Sequence, residues 1–280
     1  MARFTLLPIV LVVAACAVEA PPAEETPTML ASTPVDTQAA PARATDPPET
    51  PDTVVPDTTE AQRLISMARL LERDGDTLEA ESLYKRAHED HPDYDRAVSE
   101  YGNFLMRAGR PEASMTFYRG VIDQNPESAV AHNGLATAMS ALEWYDEALA
   151  SAQEAVRLRP GYVDAMTNIG TMQVRLGDLE TGAKTLREAA MLGYDQGNLT
   201  PVLNYGLVSL QMESWEEAIA ALGRMVVTNP DHVQMRLLLA KAMIGKGDPI
   251  SALAQVNAGL KREPEHAEAL AMKAELEAAK

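Results

Sequence analysis

The chain of 280 residues carries 41 Asp and Glu side chains against 24 Lys and Arg, a formal net charge of −17 at pH 7. Such an acidic surface repels phosphate backbones and anionic lipid headgroups, so we expect no nucleic-acid partner and no electrostatic binding to a membrane. Aromatic residues make up only 5% of the chain, with three Phe, which leaves little material for a large globular core.

An apolar run of twelve residues, Phe4–Ala15, follows the single base Arg3 at the start of the chain. It is too short to cross a bilayer, which takes about 20 residues, and is typical of a signal segment. The run ends in Val13-Ala14-Ala15-Cys16, which resembles the bacterial lipobox, where signal peptidase II cuts before an acylated cysteine. The resemblance implies a lipoprotein signal peptide over residues 1–15 and lipidation of Cys16. Ordinary signal-peptidase cleavage and an uncleaved anchor are the alternatives.

The residues after Cys16 bear on where such a lipoprotein would reside. Ala17 and Val18 follow it, and neither is the Asp that retains lipoproteins at the inner membrane. We therefore expect the bacterial cell envelope, and the outer membrane facing the periplasm if the source is diderm. The chain would then contact a membrane only through its lipid anchor.

A stretch rich in Pro, Thr, Ala and acidic residues follows at residues 16–60, with Arg43 as its only base. A segment of this composition has too few apolar side chains to bury for folding to offset its loss of conformational entropy. We predict a disordered acidic tether between the anchor and the remainder of the chain.

Prolines mark a 34-residue repeat from residue 61 onward. The spacings between Pro92, Pro126, Pro160, Pro230 and Pro264 are 34, 34, 70 and 34, so two repeats and two extra residues separate the third proline from the fourth. This register predicts six units, at 61–94, 95–128, 129–162, 163–196, 199–232 and 233–266.

Fixed offsets within the units predict two closely packed helices in each. Positions 8 and 20 are small in every unit and position 24 is mostly bulky, as expected where two helices approach and a large side chain fills the space beside them. Position 15 is Gly in four units, where a left-handed cap would end the first helix. These glycines are Gly75, Gly109, Gly177 and Gly247.

These offsets resemble the tetratricopeptide-repeat family over residues 61–280. The resemblance implies an all-α fold: a right-handed superhelical solenoid of six helix pairs, closed by a C-terminal capping helix at 267–280. Two departures from the family pattern are the missing aromatic at position 4 and Tyr194 in place of a proline. The inserted Gly197-Asn198 predicts a looser junction between repeats four and five.

Catalytic motifs are absent from the sequence. It contains no Gly-rich phosphate loop after a strand, no paired-cysteine site and no Gly-x-Ser-x-Gly. His88 and His91 are three residues apart but lie where a second helix ends, which disfavours a metal site. We expect no enzyme activity, no cofactor and no bound metal.

The family resemblance implies a concave groove lined by the first helices of successive repeats. Repeats one to three would contribute its basic and polar half, and repeats five and six an apolar half with one lysine. Asn168 and Asn204 stand where related members bind peptide backbone. The first half comprises Gln62, Arg69, Arg73, Arg96, Asn103, Arg107, Asn133 and Thr137, and the second Leu203, Leu207, Leu210, Leu237, Lys241 and Ile244.

These features favour a membrane-anchored scaffold of the cell envelope that binds a protein or peptide in the groove. The architecture also resembles lipoproteins that assist type IV and Tad pilus assembly, so a pilotin-like role toward a secretin is an alternative. A regulatory subunit of an envelope enzyme is an alternative of another class. The groove residues could instead be solvated, or the leucines could pack on the capping helix or on a second copy.

Overall fold

A computed structural model describes residues 58–278. The predicted signal peptide, Cys16 and nearly all of the predicted tether lie outside these residues. The described part contains thirteen α-helices in the order α1 (Thr59–Asp74), α2 (Thr77–Asp90), α3 (Asp95–Arg107), α4 (Pro111–Gln124), α5 (Ala129–Ala141), α6 (Tyr145–Leu158), α7 (Val163–Arg175), α8 (Leu179–Asp195), α9 (Thr200–Gln211), α10 (Trp215–Thr228), α11 (Val233–Lys246), α12 (Pro249–Leu260) and α13 (Ala267–Ala278).

The first twelve helices form six consecutive pairs, and α13 packs on α12. The first helices of successive pairs also contact one another directly, as α3 does with α5 and α5 with α7. Each pair therefore buries its apolar surface against its neighbours along the chain. This arrangement confirms the predicted all-α solenoid of six helix pairs with a terminal capping helix.

The turn inside each pair has the same hydrogen bond six times. The amide of Asp76 donates to the carbonyl of Leu71 at 2.9 Å, and the equivalent bond recurs in the other five pairs, as a Schellman-type cap requires. Position 15 has a positive φ in all six pairs. Four of these residues are the predicted glycines, and the other two are Glu143 (φ 63°) and Glu213 (φ 57°).

Close contacts explain why position 8 is small and position 24 bulky. The ring of Tyr118 is wedged between Gly102 and Gly134, and a Cβ at either glycine would lie 2.1 Å from it. Leu186 approaches Gly170 in the same way, since a Cβ there would lie 2.7 Å from the leucine Cγ. Helices within a pair and in neighbouring pairs therefore approach closely where one of them carries a glycine.

The junction between repeats four and five is closely packed, in contrast to the looser junction expected from the inserted residues. The Asn198 side chain donates to the Asp164 carboxylate at 2.7 Å, and its backbone amide donates to the Gly193 carbonyl at 2.8 Å. A Cβ at Gly193 would lie 2.8 Å from the Asn198 carbonyl oxygen. Tyr194 replaces the usual proline, so α8 extends to 17 residues, against 14 in α6 and α10.

The helices of residues 58–278 are all too short or too polar to span a membrane.

Replacing Ala148 by Leu tests the helix contact in repeat three. Ala148 is fully buried in α6, so three added carbons must displace neighbouring side chains, at a cost of about 1–3 kcal/mol. The midpoint of urea or thermal unfolding should fall. Ala150 lies on the same helix and is exposed, so Ala150→Leu should leave the midpoint within error. Equal losses in the two variants would contradict the packing described.

Replacing Glu213 by Gly tests backbone strain at position 15. An L-residue in the left-handed region is strained by about 1–2 kcal/mol, part of which glycine's larger unfolded-state entropy offsets. The free energy of unfolding of the Glu213→Gly variant should therefore be roughly 1 kcal/mol higher than that of the Glu213→Ala variant. Both substitutions remove the carboxylate, but only glycine relieves the strain. An alanine variant as stable as the glycine variant would show that the positive φ costs nothing.

Candidate partner-binding surface

Two first helices, α1 and α3, carry four exposed arginines on the side where the family resemblance implies a groove. Arg69 and Arg73 extend from α1, and Arg96 and Arg107 from α3. We call these four residues the N-terminal arginine cluster. Of the other residues expected at this end, Gln62 is exposed at the start of α1 and Asn103 is half-buried.

Arg107 holds the carboxylate of Glu72 in a two-point contact between α3 and α1. Its Nε and Nη2 atoms donate to the two oxygens of Glu72 at 2.7 and 2.8 Å, and the Tyr84 hydroxyl adds a third bond at 2.9 Å. The Arg107 bonds lower the pKa of Glu72, whereas partial burial opposes this shift. Burial and the hydrogen bond to Glu72 raise the pKa of Tyr84. Planar two-point pairing of this kind fixes the orientation of both side chains in addition to bringing their opposite charges together.

Glu100 is the second carboxylate of the site and is only 8% exposed. Arg69 donates to it through Nη2 and through Nε, the latter at 3.2 Å, and this bond raises the pKa of Arg69. Arg96 lies 3.9 Å from the same carboxylate. Arg73 pairs only with its exposed neighbour Asp74, at 3.5 Å, a contact that contributes little in water.

The cluster is therefore less basic than the sequence indicated, because two glutamates partly neutralise it. Neither Glu72 nor Glu100 was among the expected groove residues. A signal was present, since Glu72 occupies position 12 of repeat one and Glu100 occupies position 6 of repeat two, both inner-surface positions. Arg73 and Arg96 keep the weakest internal partners and are the cations most available to an incoming anion.

A buried polar ladder occupies the concave positions of repeats three to five. The Asn168 amide donates to the Asn133 side chain at 2.8 Å and to the Thr137 hydroxyl at 3.0 Å. The Asn204 amide donates to the Thr171 hydroxyl at 3.3 Å. All five side chains are at most 8% exposed.

This ladder corrects the expectation that the asparagine amides bind a peptide backbone. Asn168 and Asn204 are fully buried, and their amides join α7 to α5 and α9 to α7. Freeing them would leave buried donors without acceptors, at a cost of about 1–3 kcal/mol each. Asn133 and Thr137 are likewise structural in this conformation. Short side chains at these positions let the first helices close over the groove.

The expected apolar half of the groove is core. Leu207, Leu210 and Leu237 are 6%, 4% and 0% exposed, and Leu203 and Ile244 are half-buried. Leu237 and Ile244 pack with the α13 residues Met272 and Leu276, so the alternative of packing on the capping helix holds for them. The other three leucines pack between repeats four, five and six. Lys241 is exposed but pairs with Glu268 of α13 at 2.8 Å.

The histidines near the end of α2 belong to the packing of the outer face. His88 meets the Phe117 ring edge-on at 5.0 Å between centroids, and burial lowers its pKa. Within residues 58–278 no group of three or more His, Cys, Asp or Glu side chains is placed to hold a metal ion.

Comparison with known proteins identifies the repeat. One tetratricopeptide-repeat family model matches residues 71–138 and residues 209–276, and a second such model matches residues 133–197. Tetratricopeptide repeat protein 8 of Caenorhabditis elegans is 27% identical over 157 residues, which cover 55% of this chain. The match spans only 31% of that relative's length.

Two solved structures share the fold. PilF of Pseudomonas aeruginosa superposes with a TM-score of 0.60 at 16% identity, covering 79% of this chain and 98% of PilF. PilW, described as a widely conserved type IV pilus biogenesis factor, superposes with a TM-score of 0.55 at 18% identity, covering 67% of this chain and 92% of PilW.

The repeated Schellman turns, the small-against-bulky helix contacts and the family matches over both halves of the solenoid lead to one assignment: this chain belongs to the tetratricopeptide-repeat family.

Proposed function

We propose that this protein is a membrane-anchored scaffold of the bacterial cell envelope that binds an acidic segment of a protein partner at the N-terminal arginine cluster. The observation that carries the proposal is the concentration of exposed arginines on the first helices of repeats one and two, in a chain of net charge −17. An acidic overall surface repels acidic partners everywhere else, so this cluster gives them one place to bind.

The internal carboxylates set how the partner binds. Glu72 and Glu100 hold Arg107 and Arg69 at fixed angles, so these guanidinium groups are positioned before a ligand arrives. Arg73 and Arg96, with longer internal contacts of 3.5 and 3.9 Å, can turn toward a partner carboxylate at little cost. Because the inner surface from repeat three onward is closed, the partner would bind at the first two repeats and leave the others as a spacer.

The anchor is the second part of the proposal. Signal peptidase II would remove residues 1–15, and lipidated Cys16 would hold the protein in the outer membrane. The predicted tether ends two residues earlier than expected, because α1 already begins at Thr59. Residues 16–58 would connect the lipid to the solenoid, and their composition supports a flexible reach of about 35–40 Å by square-root scaling.

Cys16→Ala tests the anchor. Only the cysteine thiol can accept the diacylglycerol, so the variant should incorporate no labelled palmitate and should remain as the uncut precursor. Labelling of cells with radioactive palmitate, followed by immunoprecipitation and gel mobility, measures both. Equal labelling of the variant and the wild type would exclude lipidation at Cys16.

Charge reversal at Arg73 and Arg96 tests the binding surface. The double change to Glu should lower partner recovery from detergent-solubilised membranes strongly at low salt. The difference from wild type should shrink as salt rises, because exposed charges are screened within about 10 Å at 0.1 M. Arg107 is left intact because its loss would leave the half-buried Glu72 carboxylate without its cationic partner.

Lys184 and Arg187 provide the matched control for this experiment. Both are exposed on the second helix α8, so Lys184→Glu with Arg187→Glu makes the same change in net charge away from the cluster. The control should recover the partner like wild type, and circular dichroism should show equal helicity in all three proteins. Equal recovery by the two double variants would move the partner site away from the cluster.

Pilus assembly is a second candidate, favoured by the fold shared with PilF and PilW over nearly the whole length of each. In that role the partner would be a secretin, and the scaffold would help it assemble in the outer membrane. Mass spectrometry of proteins cross-linked to the solenoid in cells separates the two candidates. Recovery of a secretin would support the pilus role, and consistent recovery of other envelope proteins alone would exclude it.

A further inference from the structure

The outer face of the first two repeats contains a groove between the second helices α2 and α4. Two adjoining cavities of about 460 and 480 Å³ form it, and Lys85, Tyr101, Thr116 and Phe117 line both. The groove follows α4 from Glu112 to Gln124. At 1.5 Å per helical residue, this distance is about 18 Å.

Aromatic rings form the groove's walls and floor. Tyr101 and Phe117 meet edge to face with centroids 4.8 Å apart, and His88 meets Phe117 on the other side at 5.0 Å. Burial lowers the pKa of His88, which keeps this wall uncharged at neutral pH. Grooves lined by aromatic rings suit proline-rich segments, whose rings pack flat against them and whose extended conformation costs little entropy.

The chain enters α1 beside one end of this groove. Only Gly75 and Asp76 connect α1 to α2, and the two helices pack in one core cluster, so the start of α1 lies beside the end of α2. Pro92 and Gln124 line the groove at that end. The residues that precede Thr58 therefore start where the groove begins.

Those preceding residues have the matching chemistry. Pro47-Pro48-Glu49-Thr50-Pro51 contains a PxxP spacing, which places two proline rings on one face of a polyproline II helix. Asp46, Glu49, Asp52 and Asp57 are acidic, and residues 46–57 contain no base. Lys85 lines both cavities, and within residues 58–278 it pairs only with exposed Glu89, at 3.4 Å, so it can exchange that partner for a new carboxylate.

The lengths also agree. A polyproline II segment rises about 3.1 Å per residue, so about six residues span the groove. Residues 46–51 supply that number, and residues 52–57 remain to connect them to α1.

We propose that residues 46–51 of this chain dock in the α2–α4 groove as a polyproline II segment. The end of the tether nearest the solenoid is then fixed to the outer face of repeats one and two. The free part of the tether is shorter by the docked length, and the concave face of these repeats is turned away from the anchor. The proposal does not depend on the N-terminal arginine cluster or on the partner it binds.

Photo-cross-linking in the full-length chain tests the docking. A benzophenone amino acid is placed at exposed Glu112, at the far end of the groove, or at exposed Gln124, at the end near α1. Mass spectrometry should find Glu112 joined to residues near Asp46 and Gln124 joined to residues near Pro51, both within one chain. The order follows from the direction in which the segment must run.

Filling the groove provides the matched comparison. Gly120 lines it, and a Cβ there meets no atom within 4 Å, so Gly120→Leu should occupy the groove without displacing the core. Gly223 on α10 has equally open surroundings, and Gly223→Leu is the control. Both variants replace a helical glycine by a better helix former, so neither should unfold more easily. The intrachain cross-link should fall several-fold in Gly120→Leu and stay unchanged in Gly223→Leu.

The remaining outcomes overturn the proposal. Cross-links from the groove to a second copy or to another protein would mean that a different occupant fills it. Probes that react only with α2 to α4 or with solvent would mean that it is empty. A cross-link that persists in the folded Gly120→Leu variant would place residues 46–51 near the groove but outside it.

Discussion

The close approach of neighbouring first helices is the constraint on which the other features depend. Between α3 and α5 it exists because the Tyr118 ring fills the space that the missing side chains of Gly102 and Gly134 leave. The same approach brings position 6 of one repeat within hydrogen-bond distance of position 9 of the preceding repeat. The closed inner surface and the polar ladder therefore both result from the close packing of neighbouring first helices.

This packing also explains why the accessible surface is uneven. In repeats three to five the concave positions carry Asn, Thr and Leu, which close together into core. In repeats one and two they carry four arginines, whose strongly hydrated charges stay exposed even beside the buried Glu100, so that end stays open. The proposed binding surface thus lies where the first helices do not close over their inner side chains.

The fold could be predicted from the sequence because small residues, prolines and cap glycines recur at fixed offsets and each has a local cause. The left-handed turn was predicted at the four glycines, and the structure shows it also at Glu143 and Glu213, where no glycine indicated it. The site could be predicted only in part, since position along a helix does not reveal burial. Leu237 and Asn168 occupy groove positions by register, and only contacts with α13 and α5 show that they are core. The pairing of Arg107 with Glu72 joins residues 35 apart and required the structure.

The polar ladder has a consequence for the growth of the array. Repeat four carries both of its complementary groups, the Asn168 amide that donates backward and the Thr171 hydroxyl that accepts from the next repeat. Asn204 already makes with Thr171 the bond that a copy of Asn168 would make if residues 163–198 were duplicated in tandem. A tandem duplication there would leave no buried amide without an acceptor. In a copy of repeat two, by contrast, Glu100 would face Asn103 of the preceding copy at the position where it now meets Arg69. Among the six described repeats, repeat four is therefore the one that matches itself, and extension is chemically tolerated there.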